Sequence, residues 1–237
     1  MSDAWEDAEL VAAEPGPQEP ELVSDGGGLP FTPAALVARF EPLDPADPAV
    51  AVLLEQIRGG AGHGALWRRW RARKPPPPAE TTEQLAGWRV LARADDEVLY
   101  GRGRPPRLVT VAVKMNSRGR WACIGVSSAR PLRACREGIR ASSWRLDPDR
   151  QPAPADAELR ILVTERSRSS GIKAGGRILP PELHADDGEL LLRLFVRPRH
   201  EGFQNLVRGT ETPVRVALPE PVGGRAIVDG AVWEPDR

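Results

Sequence analysis

Three histidines, His63, His184 and His200, are the side chains here that titrate near neutrality unaided, so acid–base or metal chemistry would have to start from them. No two of them stand four apart, as on one face of a helix, or two apart, as on one face of a strand. His184 precedes Asp186 and Asp187, and His200 is followed by Glu201. A catalytic centre would need Glu165, His184, Asp186 or His200 to converge in one pocket, and positions at opposite ends of the fold would refute it. The competing reading of His184 with Asp186 and Asp187 is a solvated turn. Gly-x-Ser-x-Gly, P-loop and Rossmann glycine patterns are all missing. The Gly-Ile-Lys-Ala-Gly-Gly run over 171–176 offers backbone near Lys173 to a phosphate but has no helix after it, so it reads as a plain loop. Cys123 and Cys135 lie too far apart for a paired metal-ligand motif and read as structural or free thiols, with a bridge across neighbouring strands open if their Cα atoms come within about 7 Å. The sequence therefore assigns no catalytic, cofactor-binding or metal-ligating residue.

Binding chemistry is better represented. Trp67, Arg68, Arg69, Trp70, Arg71, Arg73 and Lys74 interleave indoles with cations, and on a helix Trp67, Trp70 and Arg71 share a face. Such a string suits an anionic surface, whether nucleic acid or lipid headgroups. It suits equally a protein partner, or an internal contact with the chain's own acidic segment, which a short linker would hold at millimolar effective concentration. That acidic segment is plain in the charge distribution. The chain carries 33 acidic and 33 basic residues, but residues 1–48 hold eleven acidic residues against Arg39 alone. The other 189 residues thus hold 22 acidic against 32 basic, a net charge near +10. Between residues 101 and 150, twelve Lys or Arg face Glu137, Asp147 and Asp149. Lysine accounts for only three of the basic residues (Lys74, Lys114 and Lys173), a GC-rich codon bias that lowers the weight of arginine number by itself.

The elements that must position these groups are mostly strands. Residues 158–165 put Leu159, Ile161 and Val163 on one face. Residues 189–197 alternate Leu190, Leu192, Leu194 and Val196 against Leu191, Arg193, Phe195 and Arg197, and 212–218 place Val214, Val216 and Leu218 together. Period-2 patterning with turn residues between predicts an antiparallel sandwich or barrel. Further strands are expected at 88–93, 97–100, 108–115, 120–127 and 142–146, with a turn at Asn116-Ser117-Arg118-Gly119. Residues 132–141 read equally as a short helix or a loop, and Asp229-Gly230 between 227 and 232 reads as a tight hairpin. Before the strands, Asp47 caps and Pro48 opens a helix ending near Arg58. Pro75 to Pro78 is an extended spacer.

The expected organisation is a disordered acidic tail over 1–45, a short helical connector with the basic Trp/Arg segment over 46–74, a Pro-rich linker over 75–81, and a mostly β, antiparallel, sandwich-like domain over 82–237. The acidic start, Met-Ser-Asp-Ala-Trp-Glu-Asp, has no apolar run behind it and does not read as a signal peptide. No stretch is long and apolar enough for a transmembrane helix, so the expected location is cytoplasmic.

Several segments over about 105–233 resemble an uncharacterised group of actinobacterial β-domain proteins, many of them secreted or lipid-anchored. They are the strand ending Leu-Val-Thr-Glu165-Arg166, then Ser169-Ser170-Gly171, then Thr212-Pro213-Val214 through Gly223-Gly224-Arg225, and the closing Val228-Asp229-Gly230, with Trp121 to Cys123 and Trp144 to Pro148 also fitting. Members of the secreted type carry cysteines where this chain has Ser167-Arg168 and where it has Leu206 to Gly209. The resemblance therefore implies an intracellular, cysteine-depleted relative. It implies the fold and no activity. The functional expectation is a non-catalytic binding or structural module contacting a protein partner, with no cofactor. The alternative is binding of a polyanion, nucleic acid or an anionic surface, screened by the acidic tail.

Overall fold

The computed structural model describes residues 6–11, 20–39, 41–59, 78–165, 172–198 and 210–233. In chain order its elements are β1 (Glu6–Val11), β2 (Leu22–Ser24), a 3-10 turn (Pro33–Leu36), α1 (Pro48–Gly59), α2 (Pro78–Leu85), β3 (Trp88–Arg93), β4 (Glu97–Arg102), β5 (Val109–Met115), β6 (Trp121–Ser128), β7 (Leu132–Arg136), β8 (Ile139–Arg140), β9 (Ser143–Leu146), β10 (Glu158–Thr164), β11 (Glu182–Ala185), β12 (Glu189–Arg193), β13 (Thr212–Ala217), β14 (Ala226–Asp229) and β15 (Val232–Trp233). The protein is mostly β, with largely antiparallel sheets. No helix among the described residues is long and apolar enough to cross a membrane.

The chain divides into two compact units, one of Leu22–Leu132 with Glu234–Arg237, the other of Met1–Glu21 with Arg133–Trp233. The residues expected to form one sandwich over 82–237 are thus shared between two bodies, and the boundary falls after Leu132 instead of at the proline run. The reason is packing. In the first unit β3, β4, β5 and β6 form an antiparallel meander in sequence order. Ala49, Val50, Leu53 and Leu54 of α1 are buried against Trp88, Val98, Tyr100, Val111 and Val113 of that sheet. Burying each of the larger of these side chains is worth about 1.5–3 kcal/mol, so α1 is part of the core and not a connector. The helix starts as its sequence predicts: Asp47 Oδ1 accepts from the Ala49 N–H at 2.8 Å, and Pro48 occupies the first turn. Pro78 opens α2 in place of ending an extended spacer.

Residues 20–39, expected within the tail, carry core residues of the same unit. Val23, Phe31 and Leu36 are buried, and Val23 and Phe31 exchange backbone hydrogen bonds of 2.8 and 2.9 Å. Asp25 is buried too: its carboxylate accepts from the Thr110 hydroxyl and from the Gly27 N–H at 2.8 Å. The Gly26-Gly27-Gly28 run lies against the sheet, where a Cβ on Gly28 would stand 2.8 Å from the Ala112 Cβ and 2.9 Å from Leu99. This loop explains why β5 is buried on both faces, Val111 and Val113 under α1 and Thr110 and Ala112 opposite.

In the second unit β1, β13, β10 and β9 form one sheet and β11, β12 and β14 another. Leu159, Ile161, Val163, Val214 and Val216 from the first share a core with Leu183, Leu190 and Leu192 from the second and with Leu194 and Val196 just past the end of β12. These are the faces the alternation predicts. Residues 132–141 resolve as β7 and β8, which pair through Cys135 with Arg140 and Arg136 with Ile139, about a tight turn with Glu137 at φ 50° and Gly138 at φ 76°. The Asp229-Gly230 turn is not a hairpin. β14 pairs in parallel with β12, whereas β15 pairs with β7, so the turn hands the chain from one sheet to another. Its backbone is spoken for elsewhere: the Gly230 N–H reaches Leu192 O at 3.2 Å and Arg193 Nε reaches Gly230 O at 2.8 Å.

Candidate interaction surface

The residues singled out for acid–base chemistry do not converge. Glu165 is clamped by Arg177, with Nη1 to Oε1 at 3.0 Å and Nη2 to Oε2 at 2.5 Å, and Arg177 also donates to Arg197 O at 2.7 Å. Asp186 lies at the other end of the β11–β12 pair, where its carboxylate accepts from the Gly188 and Glu189 N–H groups at 2.8 and 2.7 Å. Those two hydrogen bonds hold its carboxyl below the usual aspartate range, the state of a turn cap and not of a proton donor. Arg177, which holds Glu165, is followed by Ile178 bridged to Val196 beyond the end of β12, whereas Asp186 follows Ala185, which pairs with Leu190 at the start of β12, so the two sites lie towards opposite ends of that stretch. His184 faces Leu191 within that ladder. His63 and His200 lie outside the described residues. Among the described residues no group of three or more His, Cys, Asp and Glu is placed to hold a metal ion. The Ala174 N–H of the glycine-rich loop is taken by the buried Thr212 hydroxyl at 2.7 Å. Both cysteines are free thiols, and burial pushes each above its ordinary value, opposite to the activation a nucleophile needs.

Trp67, Arg68, Arg69, Trp70, Arg71, Arg73 and Lys74 also lie outside the described residues. On either side of it, Arg58 Nε near the end of α1 donates to Gln84 Oε1 in α2 at 3.0 Å.

The sorting of arginines within the first unit is what the structure adds. Arg89 on β3 is 6% exposed, and its guanidinium donates to Leu36 O and to Gly103 O, each at 2.7 Å. One side chain thus ties the end of the 3-10 turn to the β4–β5 loop. Burial, with the like charge of Arg104 adding to it, lowers the Arg89 pKa from its ordinary value. Around that tie the surface is basic. Arg39 and the 68% exposed Val37 follow Leu36 directly in the chain; Arg102 and Arg104 flank Gly103. Arg107 folds back through its N–H to Arg104 O at 2.8 Å, and the Ala129 N–H reaches Leu108 O at 3.1 Å, bringing Arg130 to the same end of the sheet. Arg39, Arg102, Arg104, Arg107 and Arg130 are all exposed, and none of their guanidinium groups enters an ion pair among the described residues. At the opposite end charges are matched: Arg93 pairs with Asp47 at 2.5 Å, and Lys114 with Glu97 at 3.0 Å and Asp96 at 3.4 Å.

The sequence registered this region only as a basic stretch over 101–150. It did not separate buried arginines such as Arg133 from exposed ones, nor did it bring Val37 and Arg39 to Arg104. No protein-family model, curated protein or solved structure matches the chain.

Proposed function

We propose that this chain is a non-catalytic binding module that contacts a partner protein, and that the arginine-rich end of the first unit's sheet is where it does so. The observation that carries the reading is the tie by which Arg89 joins Leu36, next to the exposed Val37, to Gly103, whose neighbours Arg102 and Arg104 are exposed, as are Arg39, Arg107 and Arg130. Guanidinium groups around an apolar residue are the composition of a protein contact, where Arg is enriched and an aliphatic side chain anchors. Five like charges at one sheet end repel one another, and an acidic partner surface relieves that repulsion while making charge-assisted hydrogen bonds.

A second reading, binding of a nucleic acid or other polyanion, draws on the same arginines and on the two indoles of the Trp67–Lys74 segment. Fluorescence anisotropy separates the two, using an acidic peptide of alternating Glu and Leu and a single-stranded oligonucleotide as probes at low and moderate salt. The expected result is peptide binding that weakens about tenfold in the double variant Arg104→Glu, Arg107→Glu, with weaker oligonucleotide binding. Tighter oligonucleotide than peptide binding would transfer the function to the polyanion reading. No binding of either probe would overturn both.

A further inference from the structure

One strand of the second unit does not come from the stretch that builds the rest of it. Every other strand described in that unit lies within residues 132–233, but β1 is delivered from residues 6–11, ahead of the whole first unit. It is the outermost strand of its sheet, in the order β1, β13, β10, β9, and it runs parallel to β13, its single neighbour in that sheet. The pairing is irregular: Glu6 lies opposite Val214 and Leu10 opposite Val216, so four steps of β1 match two of β13. By contrast, β13 pairs with β10 without a break from Glu158 opposite Ala217 to Val163 opposite Thr212. A sheet edge offers a row of backbone donors and acceptors to any extended chain, and a strand whose register slips is weakly specified. Ten residues, 12–21, join β1 to β2, and they include Pro15, Pro17 and Pro20. Ten residues span at most about 33 Å when fully extended, a contour length that does not by itself confine residues 6–11 to their own molecule.

We infer that the outer edge of β13 is a strand-acceptance site, filled by residues 6–11 of the same chain and able to take residues 6–11 of a second copy. The second copy is the occupant because its residues 6–11 are the same backbone segment that the β13 edge already pairs with, which makes exchange a low-cost route to a dimer. The acceptance is of the strand-addition kind, in which main-chain hydrogen bonds supply affinity. The covalently attached strand competes at millimolar effective concentration, so exchange shows at high protein concentration and the edge is otherwise blocked to outside strands.

The test uses the full chain with Ala8→Pro and Glu9→Pro together, which remove a donor at two consecutive positions of β1 and leave residues 133–233 untouched. A fluorescein-labelled peptide of residues 1–14 is titrated by anisotropy against this variant, the unaltered chain, and the variant carrying Arg104→Glu and Arg107→Glu as well. The expected result is binding to the proline variant at least tenfold tighter than to the unaltered chain, unchanged by the charge reversals. Equal binding to all three proteins, binding to none, or binding lost on charge reversal would overturn the proposal, the last because it would place the acidic peptide on the arginine surface. A second measurement keeps the idea exposed if the proline variant fails to fold. Light scattering on the unaltered chain should show a dimer fraction rising with concentration, and a monomer throughout the high micromolar range would overturn it.

Discussion

Replacing Arg133 with methionine removes the largest fully buried side chain among the described residues, one that is 2% exposed and yet charged. Its Nε donates to Ala141 O at 3.0 Å and its Nη2 to Ser142 O at 2.5 Å, and the same nitrogen meets both oxygens of Asp229 at 3.0 and 2.8 Å. Methionine fills most of the volume but leaves two carbonyls without their donor and one carboxylate without its cation. Each buried acceptor stripped of its partner costs about 1–3 kcal/mol. The Asp229 side chain is 24% exposed, so water relieves part of its loss. Together these give about 3–5 kcal/mol, the usual penalty for breaking a buried pair from one side. Adding Asp229→Asn removes the stranded charge, so the double variant should be less destabilised than the sum of the two single variants by about 1 kcal/mol or more. The assay is urea unfolding of the four proteins followed by circular dichroism and tryptophan fluorescence, with each unit allowed its own transition. A loss below about 1 kcal/mol for Arg133→Met, or strict additivity of the two changes, would refute the claim that this guanidinium organises the second unit.

Three more outcomes are expected. Asp47→Ala should cost about 1–2 kcal/mol by urea unfolding, through loss of the α1 cap and of the half-exposed Arg93 contact. Burial alone would raise the Asp47 carboxyl, but hydrogen bonds from Arg93 and from the Ala49 and Val50 N–H groups outweigh it and hold the carboxyl below its ordinary value. The stability it contributes is therefore complete above about pH 4 and lost as pH falls through the lowered value, and the variant should lack that acid limb. Tyr100→Phe should change stability at neutral pH by less than about 1 kcal/mol, because the buried hydroxyl has no aligned hydrogen-bond partner among the described residues. Burial, with Asp47 adding and Arg93 opposing, raises that phenol to about 12. The folded state thus favours the neutral ring, and from pH 10 to 12 the unaltered protein should lose roughly 2–3 kcal/mol that the variant keeps. Gly28→Ala should destabilise the first unit by about 1–3 kcal/mol in thermal unfolding, since the new methyl meets Ala112 and Leu99 inside van der Waals distance.

Much of the strand content was legible because its signal is local. Leu190, Leu192, Leu194 and Val196 alternate without interruption, and each is buried as the alternation demands. The start of α1 was legible for the same reason, since a cap needs only Asp47, Pro48 and the residues just after them. What escaped depends on contacts distant in sequence. Val23, Phe31 and Leu36 lie in a stretch broken by glycines and prolines that shows no sustained periodicity, and only the long-range contacts they make turn them into core. Asp229-Gly230 has the chemistry of a hairpin turn, but the partners of its flanking strands, β12 and β7, are set by packing that no short window contains. The arginine surface was half legible. Charge density over 101–150 was visible, while the burial that takes Arg133 inward and leaves Arg102, Arg104, Arg107 and Arg130 outside is a property of the fold.

The span of 96 residues between Arg133 and Asp229 also sets an order of events during synthesis. The meander of the first unit closes within residues 88–128, so its sheet can form as soon as that stretch leaves the ribosome. The second unit has its buried cation in place from β7 onward but gains the matching carboxylate only with β14. For all the time taken to make the intervening chain, Arg133 stays solvated, and the sheets around it cannot close without burying a bare charge. Nascent chains halted before residue 229 should therefore hold a folded first unit beside a second that is still open, and the turn at Asp229-Gly230 is the signal that completes it.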